Sequence, residues 1–498
     1  MTLDYHALAP EIILAITVMA VLVIDLLPVE KYWAAVAGLF GLFLAVIPLL
    51  TLGFCESLDF CTADARVMLD GGYVVDTYSL VLKGLFIVGA FIALLLSVGY
   101  LEADRFWEGE FYFLLLASVL GAVAMASSRD LITIFVSLEL VTGPTFLMAG
   151  WRKGDARSNE AAIKFFLIGV ISAAILLFGM SLVYGMTGEI TFEGIRVAAG
   201  AVDSPLMTVG VLFVLLGFAF KVSAVPFHFW TPDTYQGAPT PATAYLSVGS
   251  KAAGFVGLLS MTYLAFGDLA DLWGPFLWIL AAASMTVGNI IALRQTNLVR
   301  LLGFSSIAQA GFMLVPFGAA AAANGEQLET AFFATVAYLL IYAVMNLGAF
   351  AVVIAVSKRI GSAEIDDWRG LFGYAPGMAA LLAVFFFSLA GIPPLGGWFA
   401  KFVVFRSAIS VGGGWGNSIA VIAVINAVIA FFYYARVVKA AWMDRAPADV
   451  DAGDIEPVPS LRLALGITGV AVVVLGFFPG IAAHLADLTK SVASGIGL

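Results

Sequence analysis

The stretch from Ala219 to Pro241, AFKVSAVPFHFWTPDTYQGAPTP, places a lysine and a histidine inside an apolar run and then interrupts that run with prolines. Pro226 removes a backbone hydrogen bond and clashes with the preceding helical turn, so we expect a kink or an unwound segment between Lys221 and His228. Inside a membrane, such a break is tolerated only where the backbone lines a polar cavity. The stretch therefore predicts a discontinuous membrane helix beside a path for ions.

The rest of the chain has the composition of a membrane protein. Of its 498 residues, 62% are hydrophobic and only 12% are charged, and apolar runs of about 20 residues, the length that crosses a bilayer, recur from end to end. The runs are continuous rather than alternating, which predicts helices and not barrel strands. We expect an all-α polytopic membrane protein with about fourteen spans, near 9–28, 33–53, 75–100, 111–127, 130–150, 159–185, 206–230, 240–266, 270–293, 298–317, 328–357, 376–411, 416–440 and 461–485.

The loops between these spans predict the orientation. Alternate loops differ in basic residues, and the richer set belongs on the inner side of a membrane. This rule places both termini on the outer face, and we expect the first helix to be retained because its run lacks a cleavage site. The net charge of −10 resides mostly in acidic loops and is not typical of nucleic-acid binding. The basic loop residues assigned to the inner side are Lys31, Arg105, Arg152, Lys153, Arg157, Arg294, Arg300, Lys358, Arg359, Arg369, Arg436, Lys439, Arg445 and Arg462, and those assigned to the outer side are Arg66, Arg129, Arg196 and Lys490.

The two cysteines of the chain, Cys55 and Cys61, lie in the second loop, which this count places outside. An oxidising compartment would permit a disulfide there, and two free thiols are the other interpretation. The spacing, without a nearby histidine or further cysteine, makes a poor metal site.

Several charged residues fall within the predicted spans, where an unpaired charge costs several kcal/mol and by default indicates a transport role. From helix rise, Lys251 and Lys401 lie about 15 Å from the nearer helix end and Glu139 about 12 Å, so these three are near the middle of the membrane. Lys83 and Arg406 lie closer to the outer ends, which favours an anchoring role at the interface. Lys164 lies about 8 Å from the inner end and fits either interpretation.

A second interruption occurs in LAGIPPLGGWFAKF, Leu389 to Phe402, which contains an intramembrane lysine, Lys401, just past its two prolines. The two predicted breaks fall in helices 7 and 12, five helices apart, which fits an inverted repeat of helices 4–8 and 9–13. We expect helices 1–3 in residues 1–110, the first repeat in 111–266, the second in 267–440, and an acidic loop with the last helix in 441–498.

Three motifs carry a family resemblance: FKVSAVPFHFWTPDTYQGAPTPATA, GFSSIAQAG at Gly303 to Gly311, and LAGIPPLGGWFAKF. Together they resemble the antiporter-like membrane subunits of proton-pumping NADH:quinone oxidoreductase, respiratory complex I. The resemblance implies a fourteen-helix fold and a proton path along the membrane midplane, with a glutamate in helix 5 and lysines in helices 7, 8 and 12. The residues at those places are Glu139, Lys221, Lys251 and Lys401, with Lys164 and His228 as accessories.

The resemblance also separates branches of the family. One branch has glutamate at the helix 12 position, where this chain has Lys401, and the largest member carries a long lateral helix where this chain has only the tail Ala486 to Leu498. Gln309 stands where some relatives have histidine, so helix 10 is assigned no titrating group. The resemblance implies neighbouring membrane subunits as partners, a bacterial inner membrane as the location, and NADH, FMN, iron–sulfur clusters and quinone on partner subunits rather than on this chain.

The hypothesis for the mechanism is that Glu139 stabilises protonated Lys221, and that a shift of this pair sends the proton through Lys251 to Lys401, because desolvation disfavours a lysine cation and a nearby carboxylate favours it. His228 is interpreted as a relay or as a packing residue, and Asp233 as a helix cap. Three alternatives stay open: a subunit of a cation/proton antiporter, a free-standing secondary transporter, and a purely structural subunit.

Overall fold

The protein, as a computed structural model, is described over residues 3–54, 65–103, 109–200, 202, 204–447 and 455–490, and it is helical almost throughout this part. Cys55, Cys61 and Arg105 lie outside the described residues. Helices dominate because a helix satisfies the hydrogen bonds of its own backbone, and lipid offers no partners for those groups. In chain order the helices are α1 (Ala9–Leu26), α2 (Tyr32–Gly53), α3 (Thr77–Ala103), α4 (Gly109–Ser127), α5 (Leu131–Ala149), α6 (Ala156–Thr187), α7 (Phe192–Ala199), α8 (Pro205–Lys221), α9 (Trp230–Gly237), α10 (Thr240–Tyr245), α11 (Lys251–Leu259), α12 (Ala270–Ala292), α13 (Leu298–Ala319), α14 (Gly325–Ile360), α15 (Leu371–Tyr374), α16 (Pro376–Ala390), α17 (Gly396–Val411), α18 (Gly413–Met443), α19 (Pro459–Phe477) and α20 (Gly480–Asp487).

Both predicted breaks are present. Predicted helix 7 (206–230) is helical as α8 up to Lys221, and the next helix, α9, begins at Trp230; predicted helix 12 is divided into α16 and α17. Predicted helix 8 is one continuous helical segment in which π-helical turns at Leu246–Ser250 and Ser260–Ala265 flank α11. Eleven described helices are long and apolar enough to cross a membrane, and α8 and α16 are shorter apolar helices. The count of fourteen crossings, the inverted repeat and the domain boundaries stay predictions.

The helix ends follow local chemistry. Asp130 begins α5 by accepting a hydrogen bond from the backbone of Thr133, and Asn324 forms a reciprocal capping box with Gln327 at the start of α14. Gly188 and Gly361 end α6 and α14 in the left-handed conformation that glycine adopts without a steric penalty. These caps fix where the long helices leave the apolar layer.

Helices α13 and α14 form the centre of the bundle. In their most apolar 18-residue stretches 94% and 89% of the residues are buried, against 33% in the corresponding stretch of α6. Close packing around α13 depends on small residues, as is common between membrane helices. A Cβ at Gly311 would lie 2.6 Å from the backbone nitrogen of Met285 on α12. The residues of α13 are therefore enclosed by other helices on every side.

A short antiparallel hairpin, β1 (Arg66–Met68) and β2 (Tyr73–Val75), covers one end of the bundle. Tyr73 forms a bridge with Ser128 in the α4–α5 connection, and Asp130 forms another with Thr191. We call this end, made by the hairpin and residues Ser128 to Asp130, the hairpin face.

Candidate functional site

The first break begins at Lys221, the last residue of α8, whose side chain is buried. The chain then turns through Ser223 in the left-handed region, with φ 61°, and a cis Val225–Pro226 peptide. The backbone N–H of Val225 donates to Ser284 Oγ at 2.9 Å. The Lys221 ammonium donates to Thr142 Oγ1 on α5. The break therefore holds a buried lysine against a hydroxyl of the neighbouring helix.

Glu139 lies on α5, three residues before Thr142, and is half-buried. Among the described residues no ion pair within 4.0 Å joins it to Lys221, although its carboxylate is near enough to act on Lys221 electrostatically. Its Oε1 atom is buried without a hydrogen-bond partner in the described part of the chain. In the described structure Lys221 thus contacts α5 through Thr142 and not through Glu139.

Lys251 begins α11, directly after the first π-helical turn, and is buried. Its ammonium donates to both the carbonyl oxygen and the hydroxyl of Ser306 on α13, each at 2.9 Å. Tyr235 on α9 lies 3.4 Å from the same hydroxyl. Lys251 is therefore fixed to the central helix rather than to a carboxylate.

Gln309, one turn after Ser306, is a candidate site residue to which sequence reasoning gave no role. Its Nε2 donates to the carbonyl of Leu389 at 3.0 Å and to the Tyr434 hydroxyl at 3.2 Å, and its Oε1 accepts from Tyr338. The sequence set it aside because an amide does not titrate. The available signal was its spacing of three residues from Ser306, which puts both side chains on one face of α13.

Lys401 lies in the second turn of α17 and is buried. Its ammonium donates to the carbonyl of Ala390, the last residue of α16, at 2.7 Å, and stands 4.9 Å from the centre of the Phe312 ring. Gly391, with φ 91°, ends α16 and leaves that carbonyl without a helical partner. The hydrogen-bond acceptor of Lys401 is thus a backbone carbonyl freed at the second break itself.

These contacts lie in a series that runs from α11 past α13 to the second break. Lys251 binds Ser306, Gln309 binds the carbonyl of Leu389, and Lys401 binds the carbonyl of the next residue, Ala390. All of these groups are buried. We call Lys251, Ser306, Gln309 and Lys401 the central polar row.

The accessory residues are placed differently. Lys164 is 41% exposed and pairs with Glu160 at 2.6 Å and with Asp233 at 2.7 Å. Asp233 also pairs with Arg300 on α13 at 2.8 Å. The interpretation of Asp233 as a helix cap was wrong: α9 begins at Trp230, so Asp233 lies within its first turn. Its carboxylate joins α6 and α13 instead of capping the helix.

His228 lies within the first break, as its position beside Pro226 predicts. Its ring stacks on Phe229 with 4.8 Å between centroids, and its Nδ1 is buried with no hydrogen-bond partner among the described residues. This nitrogen is free to bind a proton or a water molecule. The described part of the chain contains no group of three or more His, Cys, Asp or Glu residues that could hold a metal ion.

Of the two expected anchors, Arg406 is exposed near the end of α17, but the anchoring role of Lys83 was wrong. Lys83 is 0% exposed and pairs with Glu11 of α1 at 2.6 Å. Sequence reasoning missed this pair because Glu11 lies in the first turn of its helix and was not counted among the intramembrane charges. Only the packing of α1 near α3 reveals it.

Comparison with known proteins finds relatives and solved structures that match most of this chain. A family described as "NADH:quinone oxidoreductase/Mrp antiporter, TM" matches residues 128–429. The chain is similar to NADH-quinone oxidoreductase subunit N 2 of Streptomyces griseus, with 44% identity over 445 residues that cover 87% of this chain and 81% of the relative. It is similar to a chain of respiratory complex I from Thermus thermophilus, with a TM-score of 0.77 and 30% identity over 96% of this chain and 99% of that one. A chain of the Mrp complex from a Dietzia species has the same fold, with a TM-score of 0.78 at 18% identity, covering 99% of this chain and 98% of the other.

Proposed function

Because the chain belongs to the antiporter-like membrane subunits of NADH:quinone oxidoreductase, in the branch of subunit N, we propose that it translocates protons while oxidoreduction takes place on partner subunits. The observation that carries this proposal is the central polar row, which links a lysine after a π-helical turn to a lysine after a broken helix. A static fold has no need for two buried lysines held only by neutral oxygens. Intramembrane ionisable groups of this kind mark proton relays.

The neutral partners explain how these lysines would work. Lys251 and Lys401 bind carbonyl and hydroxyl oxygens, which accept a hydrogen bond from an ammonium but leave its charge uncompensated. Desolvation therefore opposes the charged form, and each lysine can give up a proton to a neighbour. Serine hydroxyls can both accept and donate, so Ser306 is suited to pass a proton from Lys251 into the row.

Lys221 and Glu139 would set the direction of transfer. The Glu139 carboxylate favours the proton on Lys221, and Thr142 holds the ammonium from the same face of α5. A movement of α5 that increases the distance between the charges would release the proton toward Lys251. The side chain of Lys221 packs beside α11, where a Cβ at Gly254 would lie 2.9 Å from Lys221 Cβ. Lys221, Lys251 and Lys401 are therefore proposed as the carriers, with Glu139 as the control and Lys164 and His228 as accessories on the inner side.

The proposed setting is the bacterial inner membrane, with both termini on the outer face and the basic loops inside. NADH, FMN, iron–sulfur clusters and quinone would be bound by partner subunits. Apolar side chains exposed on α1, α2, α6 and α18, such as Ile16, Phe43, Ile171 and Phe432, suit lipid or a neighbouring antiporter-like subunit. We expect the tagged chain to co-purify with a large NADH-oxidising, quinone-reducing assembly and not with a small antiporter complex.

The test of the proposed function is Glu139→Gln in the intact complex. Loss of the carboxylate removes the charge that favours protonated Lys221, so we expect protons translocated per NADH to fall about twofold or more, with normal assembly. The measurement is acidification of inverted membrane vesicles, normalised to NADH oxidation. The control is Glu193→Gln at an exposed position of α7. Full stoichiometry in Glu139→Gln would contradict a role for this carboxylate.

A second variant tests the central polar row. In Gln309→Leu the amide that bridges Leu389, Tyr434 and Tyr338 is lost, and the Leu389 carbonyl loses its side-chain donor. We expect the pumping rate to fall about tenfold, since a positioned proton-transfer step is worth 100-fold or more. Gln309→Glu restores an acceptor in the row and should recover part of the rate, whereas Gln295→Leu, at the end of α12, should have no effect. Equal rates in Gln309→Leu and the unmodified chain would mean that protons bypass the row.

A further inference from the structure

A second buried cluster of charged groups lies near the hairpin face and is not part of the path described above. It contains Glu11 on α1, Tyr73 on β2, Lys83 on α3, and the pair formed by Asp76 and Arg129. Lys83 is 0% exposed and Arg129 2%, while the Glu11 side chain is 12% exposed and is the most accessible member. Two full charges of each sign are thus enclosed where an exposed anchor was expected.

The contacts of Glu11 are uneven. Its Oε1 forms an ion pair with the Lys83 ammonium at 2.6 Å and accepts a hydrogen bond from the Tyr73 hydroxyl at 2.6 Å. Its Oε2 is buried and has no hydrogen-bond partner among the described residues. Burial, and next the neighbouring Glu11 carboxylate, raise the pKa of the Tyr73 phenol well above its ordinary value, so Tyr73 stays a donor. Because arginine does not lose its proton in proteins, Glu11 and Lys83 form the ion pair of this cluster within which a proton can move.

The cluster is connected to the helix that carries Lys251. Tyr78 on α3 has its ring 5.4 Å from the Arg129 guanidinium, and its hydroxyl lies 3.3 Å from Ser260 Oγ and 3.4 Å from the carbonyl of Val256. Ser260 follows α11, about 13 Å along the helix from Lys251. The second π-helical turn starts at Ser260, where the change in hydrogen bonding alters which carbonyls are available.

We propose that the Glu11–Lys83 pair is a proton-release site of this subunit, supplied from Lys251 by way of Ser260 and Tyr78 and opening at the hairpin face through Glu11. This rests on the proposed proton translocation and adds a release point to it. Asp76 and Arg129 lie near this pair, and both act electrostatically on Lys83. They form an ion pair with each other at 2.7 Å. Their fixed pair keeps the local charge balanced while a proton passes.

The proton balance of the pair suits release. Lys83 as ammonium with Glu11 as carboxylate contains the same number of protons as Lys83 as amine with Glu11 as carboxylic acid. Transfer of a proton from Lys83 to Glu11 therefore leaves the net charge of the pair unchanged at zero. It converts a buried ion pair into two neutral groups. Loss of the Glu11 proton to solvent leaves Lys83 as an amine, which accepts the next proton that reaches the cluster. Each cycle moves one proton and restores the pair.

A static role, fixing α1 and the hairpin to α3, is the competing interpretation, and two variants separate it from proton release. Tyr78→Phe keeps the ring beside Arg129 and removes only the hydroxyl that reaches Ser260. Lys83→Arg keeps the positive charge and the ion pair, but arginine does not lose its proton in proteins. A static pair predicts normal pumping in both variants. Proton release predicts a fall in both.

The experiment measures acidification per NADH in inverted vesicles containing the assembled complex. We expect the variants Glu11→Gln, Lys83→Arg and Tyr78→Phe each to translocate at most about half as many protons per NADH as the unmodified complex. The reason is that a missing transfer group slows its step 100-fold or more. Glu11→Asp should rescue part of the loss. Asp268→Asn, which breaks the exposed Arg196–Asp268 pair near the same face, is the matched control.

The outcomes also distinguish this inference from the proposed function. If Glu139→Gln lowers pumping but the three cluster variants do not, the release site is overturned and translocation through the central polar row stands. If neither set lowers pumping in assembled complex, both proposals fail. If Lys83→Arg prevents assembly, Tyr78→Phe alone decides, because it removes one hydroxyl and no charge.

Discussion

Replacing Lys251 with methionine should remove proton translocation by this subunit while leaving the chain folded and assembled. Lys251 begins the central polar row, and among the described residues its ammonium has no acidic partner that would be left unpaired. Ser306 keeps other contacts, because its hydroxyl also donates to the carbonyl of Gly303 at 2.9 Å. Methionine fills a similar volume without a charge, and such replacements of buried charged groups are often neutral for stability.

The expected loss is about tenfold or more in the pumping rate, since intramembrane ionisable groups of this kind carry the transfer itself. Proton uptake in vesicles and the amount of assembled complex on a native gel are measured together. Lys439→Met, at an exposed position of α18, controls for the loss of a lysine. Lys251→Arg should fail as methionine does, because a guanidinium keeps the charge but does not release its proton. Unchanged pumping in either variant of Lys251 would exclude it as a carrier.

The parts of this structure that follow from local sequence were predictable. Pro226 and the pair Pro393 and Pro394 predict both breaks, because a proline in a helix interior removes a hydrogen bond and clashes with the preceding turn. The burial of Lys221, Lys251 and Lys401 follows from their positions within long apolar runs. What these residues do in the protein stays a prediction.

The partners of these charges were not predictable, because each depends on which helices pack together. Lys221 donates to Thr142 on α5, although a carboxylate and an ammonium at similar depth suggested that Glu139 would be its direct partner. Asp233 follows Thr-Pro in a pattern typical of a helix start, yet tertiary contacts direct it to other helices.

The Lys83 and Glu11 pair also depends on helix packing, here between residues that are far apart in the sequence. The two residues are 72 positions apart, and each alone has an unremarkable place near a helix end. The sequence rule that long basic side chains reach for the interface applies to a lysine facing lipid. It fails for Lys83 because the residue faces α1 and the hairpin rather than lipid. The orientation of α3 about its own axis decides between the two, and a uniformly apolar helix does not reveal that orientation.

Gly397→Ala should destabilise the second break and reduce the amount of assembled complex. Gly397 lies in the first turn of α17, and a Cβ there would stand 1.8 Å from the carbonyl oxygen of Ser388 and 2.7 Å from its carbon. Both are backbone atoms of α16, so no side chain can rotate away, and the two halves of the broken helix must separate. Overpacking of this kind costs about 3 kcal/mol.

The separation would also affect Lys401, which lies one turn after Gly397 and binds the carbonyl of Ala390 on α16. We therefore expect less chain in the membrane, a lower thermal midpoint in detergent, and reduced pumping by the complex that does assemble. Gly466→Ala in the interior of α19 is the matched control, since no atom lies within 4 Å of its added Cβ, and alanine favours a helix over glycine by about 1 kcal/mol. If Gly397→Ala accumulates and pumps as Gly466→Ala does, then α16 and α17 are not held at this distance, and the carbonyl of Ala390 is not a fixed acceptor for Lys401.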